Sequence, residues 1–90
     1  MVAASARVER GWADLLSRRE DDLRRAFRRL ADSPLERYPG RQFPLRDLRF
    51  KGAWEYEVAA GDRVFYRVNR EEAIVTVLYA GPHAAPGKVI

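Results

Sequence analysis

The chain has 90 residues, 17 of them basic and 13 acidic, for a formal charge of +4, and it is 47% hydrophobic. That composition describes one small globular domain with a modest core, and the absence of cysteine beside a lone histidine excludes a disulfide framework and a His/Cys metal site. No apolar run approaches the roughly 18 residues of a bilayer span, and the start lacks a signal-peptide pattern, so a cytoplasmic protein with no membrane partner is expected.

Taken in chain order, residues 2–5 (VAAS) predict a short edge strand. Val8, Trp12, Leu15 and Leu16 then form one apolar stripe, and Leu23, Ala26, Phe27 and Leu30 a second, at helical spacings of three and four. A continuous helix of about 24 residues would be about 36 Å long, more than so small a domain easily covers. Ser17 to Glu20 has the capping-box pattern, which predicts a break and hence a helical hairpin. Pro34 ends the second helix near Ser33. On that helix Glu20 and Asp21 stand four residues ahead of Arg24 and Arg25 as helix-supporting pairs, whereas Arg28 and Arg29 have no such partner.

Residues 35–52, with Pro39, Gly40, Pro44 and Gly52, predict a loop containing one short strand near 42–45. Three strands follow, WEYEVA (54–59), RVFYRV (63–68) and AIVTVLYA (73–80), separated by short turns. The expected fold is α+β: a helical hairpin on one face of a small antiparallel sheet, a three-stranded meander with a possible N-terminal edge strand. Residues 1–90 are expected to form one domain, with 84–90 a flexible tail.

Alternation along the first two long strands sets Glu55 and Glu57 on one face and Trp54, Tyr56 and Val58 on the other. A three-residue loop at 60–62 would pair Tyr56 with Tyr66 and Val58 with Val64 against the helices. Glu55 would then oppose Arg67, Glu57 would oppose Phe65, and Arg63 would lie diagonal to Glu57. Trp12, Trp54, Tyr56 and Tyr66 are expected in the core. Two readings of the charged face stand together at this point: ordinary cross-strand ion pairs on a wet surface, or a site.

Two features bear on the choice. His83, the single histidine, follows the Gly81-Pro82 turn at the end of the last strand, and imidazole is the side chain that exchanges a proton near neutrality without a large perturbation. Residues 37–51 carry Arg37, Arg41, Arg46, Arg49 and Lys51 against Asp47, a local net charge of +4. Such a segment fits a polyanion partner, although a solvated arginine-rich loop reads the same way. Carboxylate, guanidinium and imidazole beside a basic wall are the groups that cofactor-free RNA cleavage requires. A base takes the 2′-hydroxyl proton, an arginine stabilises the phosphorane, and an acid protonates the leaving 5′-oxygen.

In order and spacing, the segments RAFRRLADSPLE (25–36), PLRDLRFKGAWEYEV (44–58), GDRVFYRV (61–68) and VTVLYAGPH (75–83) resemble a RelE/ParE-superfamily toxin of a type II toxin–antitoxin system, on the RelE and HigB side. The resemblance implies a sheet backed by a helical hairpin and cleavage of mRNA on the ribosome. It also implies inhibition by a cognate antitoxin, and operator DNA contacted through that antitoxin. Arg63 matches the family's catalytic arginine and His83 its basic position after the last strand. Glu55 and Glu57 stand where RelE-type members carry lysines, which implies a Glu-Arg-His arrangement instead. Some members also place a catalytic tyrosine near the C-terminus, and here no tyrosine follows Tyr79.

The expected catalytic set is therefore Glu57 as base, Arg63, His83 as acid, and Glu55. Arg67, Arg41, Arg46, Arg49, Lys51 and Lys88 are expected on RNA, with Phe65 stacking a base. Arg24, Arg25, Arg28 and Arg29 are expected on an acidic amphipathic antitoxin helix. A ParE-like, non-hydrolytic inhibitor of DNA gyrase and a degenerate member that binds its antitoxin without other activity are the alternatives.

Overall fold

The protein is described by a computed structural model over residues 1–46 and 48–82. The expectations resting on His83, Lys88 and the tail 84–90 lie outside the described residues. A short strand β1 (Val2–Ala3) leads into helix α1 (Ala6–Arg18) and helix α2 (Glu20–Asp32). Strands β2 (Gln42–Pro44), β3 (Trp54–Ala59), β4 (Asp62–Asn69) and β5 (Ile74–Pro82) follow, with a 3-10 turn at Leu48–Phe50 between β2 and β3. The described strands form one five-stranded sheet in the order β1-β5-β4-β3-β2, in which β1 runs parallel to β5 and the other neighbours are antiparallel. The helical hairpin packs on one face, as expected, and both short strands join the meander.

Ser5 starts α1, its Oγ accepting the Val8 backbone N–H at 3.3 Å. Gly11 lets that helix lie directly on β5: a Cβ there would stand 2.2 Å from the Ala80 carbonyl oxygen. The break between the helices falls where it is expected but has a different cause. Ser17 is inside α1, its hydroxyl donating to the Asp14 carbonyl at 2.8 Å, and Arg19 is the single residue of the corner, with no side-chain cap. The corner is instead held through space, because Arg18 and Arg19 both reach Asp62 at the start of β4. Overall extents of 32 × 29 × 28 Å agree with a bent pair rather than one long helix.

Val8, Leu15, Leu23, Ala26 and Leu30 meet Tyr56, Val58, Val64, Tyr66, Val75, Val77 and Ala80 in the main core, with Trp12 and Trp54 packed at its margin. Tyr66 is fully enclosed yet fully satisfied. Its hydroxyl donates to the Pro34 carbonyl at 2.6 Å and accepts from Gln42 Nε2 at 2.9 Å. Gln42 in turn donates to the Ser33 carbonyl at 2.8 Å and accepts from Arg29 Nε at 2.7 Å, so the end of α2 is tied to β2 and β4. Burial is the main cause pushing the Tyr66 hydroxyl up to about 12, against the opposing Gln42 bond.

The β3–β4 register corrects the expected one by two residues. The turn is Ala60-Gly61, with Gly61 at φ 82° and Ala59 opposite Asp62. Such a two-residue connection would ordinarily swap the faces. A bulge at Val58 restores them, so Glu57 opposes Arg63, Glu55 opposes Phe65 and Tyr56 opposes Val64. Arg67, expected across from Glu55, pairs with Thr76 on β5 instead.

Candidate functional site

The face away from the helices carries Glu55 and Glu57 on β3, Arg63, Phe65 and Arg67 on β4, and Tyr79 and Gly81 on β5. It divides into a covered middle and an open end. Over the middle, residues 45–46 and 48–53 lie back on the sheet, held by Leu45 N–H to the Ala53 carbonyl at 2.9 Å. Phe50, Ala53 and Phe65 form a second small core there, with Leu45, Leu78 and Tyr79 around it. The Phe65 ring is 6% exposed and lies 5.5 Å from Phe50 and 5.2 Å from Tyr79. This corrects the expectation that Phe65 stacks a nucleobase: both its sides are occupied by protein. A bulge in β5 sets Leu78 and Tyr79 together against Phe65.

The open end lies beside the β3–β4 turn. Arg63 sits between the cross-strand positions Glu57 and Gly81. Its Nη1 donates to Glu55 Oε2 in a close ion pair, and its Nη2 stands 3.7 Å from Glu57 Oε2. The Arg63 Nε is buried and has no hydrogen-bond partner among the described residues. Glu55 is buried with that contact, its side chain 7% exposed, whereas Glu57 at 28% opens to solvent. Arg41 borders the pair: its Nη1 donates to the Glu57 carbonyl at 3.0 Å, and its own carbonyl accepts the Glu57 N–H at 2.7 Å.

Two carboxylates against one guanidinium leave this end acidic at its centre, with Arg41 as the adjoining cation. An anion that displaced Glu57 from Arg63 would gain both the Nη2 and Nε donors, a geometry suited to phosphate. The displaced Glu57 would remain close by as a proton acceptor. Among the described residues, no group of three His, Asp or Glu side chains comes together as a metal cage.

Tyr79 is a member of this face that sequence reasoning set aside. Its hydroxyl donates to the Pro82 carbonyl and lies above Gly81, where a Cβ would stand 3.2 Å from it. Gly81 also takes φ 153°, which side chains rarely tolerate. Burial pushes the Tyr79 hydroxyl up, and the Asp62 carboxylate adds to the shift. Strand parity pointed the other way, since alternation from Val75 and Val77 would turn Tyr79 and Gly81 toward the helices, and the bulge in β5 reverses it.

The remaining candidates are dispersed. Arg67 donates to the Lys51 carbonyl at 3.1 Å, so it anchors the covering segment from the far end of the face. Arg46, Arg49 and Lys51 are exposed along that segment, with Arg49 6.0 Å over the Phe50 ring. On α2, Arg24 pairs with Glu20 at 3.0 Å as expected, but Arg25 pairs with Asp22 at 3.0 Å rather than with Asp21. Arg29, expected on the antitoxin, is committed within the protein to Gln42 and lies 5.5 Å over the Tyr38 ring. Arg28 is exposed.

Compared with models of known protein families, the sequence matches none, and it matches no curated protein. Solved structures do match, over nearly the whole chain. A YoeB/ParE toxin from Agrobacterium tumefaciens superposes with a TM-score of 0.74 at 18% identity, covering 93% of this chain and 100% of that one. A YoeB-YefM complex from Staphylococcus aureus gives a TM-score of 0.72 at 9% identity, over 93% and 97%. The RelBE2 toxin–antitoxin complex from Mycobacterium tuberculosis gives 0.55 at 24%, over 94% and 92%. Two helices on one face of a five-stranded sheet are thus the fold of YoeB/ParE and RelE-type toxins, as the sequence resemblance implied.

Proposed function

We propose that this chain is a RelE/ParE-superfamily toxin of a type II toxin–antitoxin system and that it cleaves mRNA on the ribosome without a metal or other cofactor. The observation that carries the reading is Arg63, held between two carboxylates on the sheet face that the helices leave free, with one donor unspent. A scissile phosphate takes the Nη2 and Nε edge of Arg63. Glu57, released from the guanidinium, accepts the 2′-hydroxyl proton, and the 2′-oxygen attacks phosphorus. Charge on the phosphorane is met by Arg63 and Arg41. The phosphorus–O5′ bond then breaks, with a proton delivered to O5′ by His83, leaving a 2′,3′-cyclic phosphate and a 5′-hydroxyl. Glu55 serves as the fixed partner of Arg63. Glu57 remains the base for a different reason from strand register: it is the more exposed and more weakly paired carboxylate. Arg46, Arg49, Lys51 and Arg67 supply a basic track for the RNA backbone beyond the site.

The cognate antitoxin is the second partner. Of the five large hydrophobic side chains exposed among the described residues, all but Tyr38, namely Met1, Val2, Leu16 and Phe27, gather along two adjoining grooves that share Trp12 and Phe27. Arg24 and Arg28 rim the second groove. An amphipathic antitoxin segment with an apolar face and an acidic flank fits there. The proposed contact therefore uses Arg24 and Arg28 rather than Arg25 and Arg29.

Primer extension on cellular mRNA after induction tests the function. Discrete, codon-phased ends that vanish with Arg63→Ala are expected. An SOS response without such ends would replace the nuclease by a gyrase inhibitor. Growth unaffected by induction, with the antitoxin still bound, would leave a chain that binds its antitoxin without further activity.

A further inference from the structure

Asp62 is a buried carboxylate that the cleavage scheme does not use. The residue is 3% exposed, and burying a charge in this way is unfavourable unless it is fully paired. The pairing comes from 43 and 44 residues away. Arg19 Nε donates to Oδ2 at 3.0 Å, and Arg18 donates through Nη2 to Oδ1 at 3.2 Å and through Nη1 to Oδ2 at 3.4 Å. Arg18 also holds Asp14 at 2.9 Å. These two arginines are the end of α1 and the corner itself, which has no side-chain cap of its own.

On the sheet side, Asp62 opens β4 one residue before Arg63 and stands opposite Pro82, whose carbonyl accepts the Tyr79 hydroxyl. Successive residues of a strand face opposite ways, so the carboxylate grips one side of the backbone while the Arg63 side chain leaves from the other. On its β3 side the ladder is irregular here. The Val58 bulge interrupts β3–β4 pairing between Glu57 and Ala59, directly across from this point. The Asp62 clamp therefore adds to a ladder that runs unbroken here only on its β5 side, from Asp62 opposite Pro82 to Phe65 opposite Tyr79.

We infer that Asp62, gripped by Arg18 and Arg19, is a positioning residue: it fixes the start of β4 against the end of β5 and thereby sets where Arg63 meets Glu57 and the substrate phosphate. The catalytic part of this inference rests on the nuclease reading above, and the structural part does not. A displacement of even about 1 Å at a reacting group can lower a rate by about a hundredfold.

The test compares the wild type, Asp62→Asn and the milder Arg19→Gln, all as full chains, by amide hydrogen exchange and by single-turnover cleavage of ribosome-bound mRNA. In Asp62→Asn, exchange should quicken at least about tenfold at residues 57–64 and at Ala80 and Gly81, with little change at Leu15, Leu23 and Tyr66 in the main core. The cleavage rate should fall about a hundredfold with substrate affinity within about threefold, and Arg19→Gln should show the same pattern at smaller amplitude. Exchange that quickens evenly over the whole sheet, or not at all, overturns the inference. So does full cleavage by Asp62→Asn despite local loosening. If the wild type itself fails to cleave while the local exchange pattern appears, the positioning of Arg63 stands and the nuclease reading falls.

Discussion

The two faces of the sheet handle buried polarity in opposite ways. Toward the helices, Tyr66, Gln42 and Asp62 are deeply buried, and their donors and acceptors are matched: Tyr66 with Pro34 and Gln42, Gln42 with Ser33 and Arg29, Asp62 with Arg18 and Arg19. On the outer face, one guanidinium stands between two carboxylates and keeps a buried Nε without a partner among the described residues. A matched buried network stabilises a unique arrangement, whereas an unmatched donor in a half-open site is costly unless a ligand completes it. The contrast separates scaffold from site on one small sheet.

The contrast is most easily broken at Arg63. Arg63→Ala should abolish growth arrest and RNA cleavage while the helical circular dichroism persists; arrest at wild-type strength would remove the site. Next in size is the pair of carboxylates. Glu57→Gln should abolish toxicity, whereas Glu55→Gln should retain part of the cleavage rate. The reverse order would exchange the base assignment.

Away from the Asp62 clamp, changes on the helix-facing side should lower stability and leave chemistry intact. Tyr66→Phe strands Gln42 and the Pro34 carbonyl, for a loss of about 1–3 kcal/mol read from urea unfolding, with cleavage at saturating RNA unchanged. A matched network should also report its own titration. The Tyr66 hydroxyl is raised in the fold, so its stabilisation is present below the ordinary tyrosine range. It is lost as pH climbs from near 10.0 toward about 12, an alkaline decline that Tyr66→Phe should flatten.

In stability, Asp62 should give the smallest signal, at the acid end. Burial works to raise its carboxyl, but the bonds from Arg18 and Arg19 hold it below the ordinary carboxylate value. The other titratable groups around the clamp are Asp14, which shares Arg18, and Tyr79, whose hydroxyl is raised in part by Asp62. The clamp therefore stabilises the fold at neutral pH and is lost as pH falls below the carboxylate range. Asp62→Asn should be less sensitive than the wild type to acid as pH falls below the ordinary carboxylate range, in thermal melts. Equal sensitivity would show that the clamp is energetically idle.

How much of this was legible beforehand differs from element to element. Helical spacing revealed both stripes, and strand alternation put Glu55, Glu57 and Arg63 on one face, because side-chain period is a local property. The partners were not legible. A bulge at Val58 and a two-residue turn produce the same parity as the three-residue loop expected, yet shift every pair by two, and nothing in the local pattern distinguishes them. The cover over Phe65 was hidden for a similar reason, since Phe50 lies in a segment without periodicity.

The sequence by itself thus determined the layers: which residues turn toward the helices, which turn away, and where the chain must bend. The tertiary structure decided which charges meet. Arg18 and Arg19 find Asp62, and Arg63 finds Glu55, across 44, 43 and 8 residues of chain. Such pairings depend on how rigid elements dock, and no periodicity within an element encodes them.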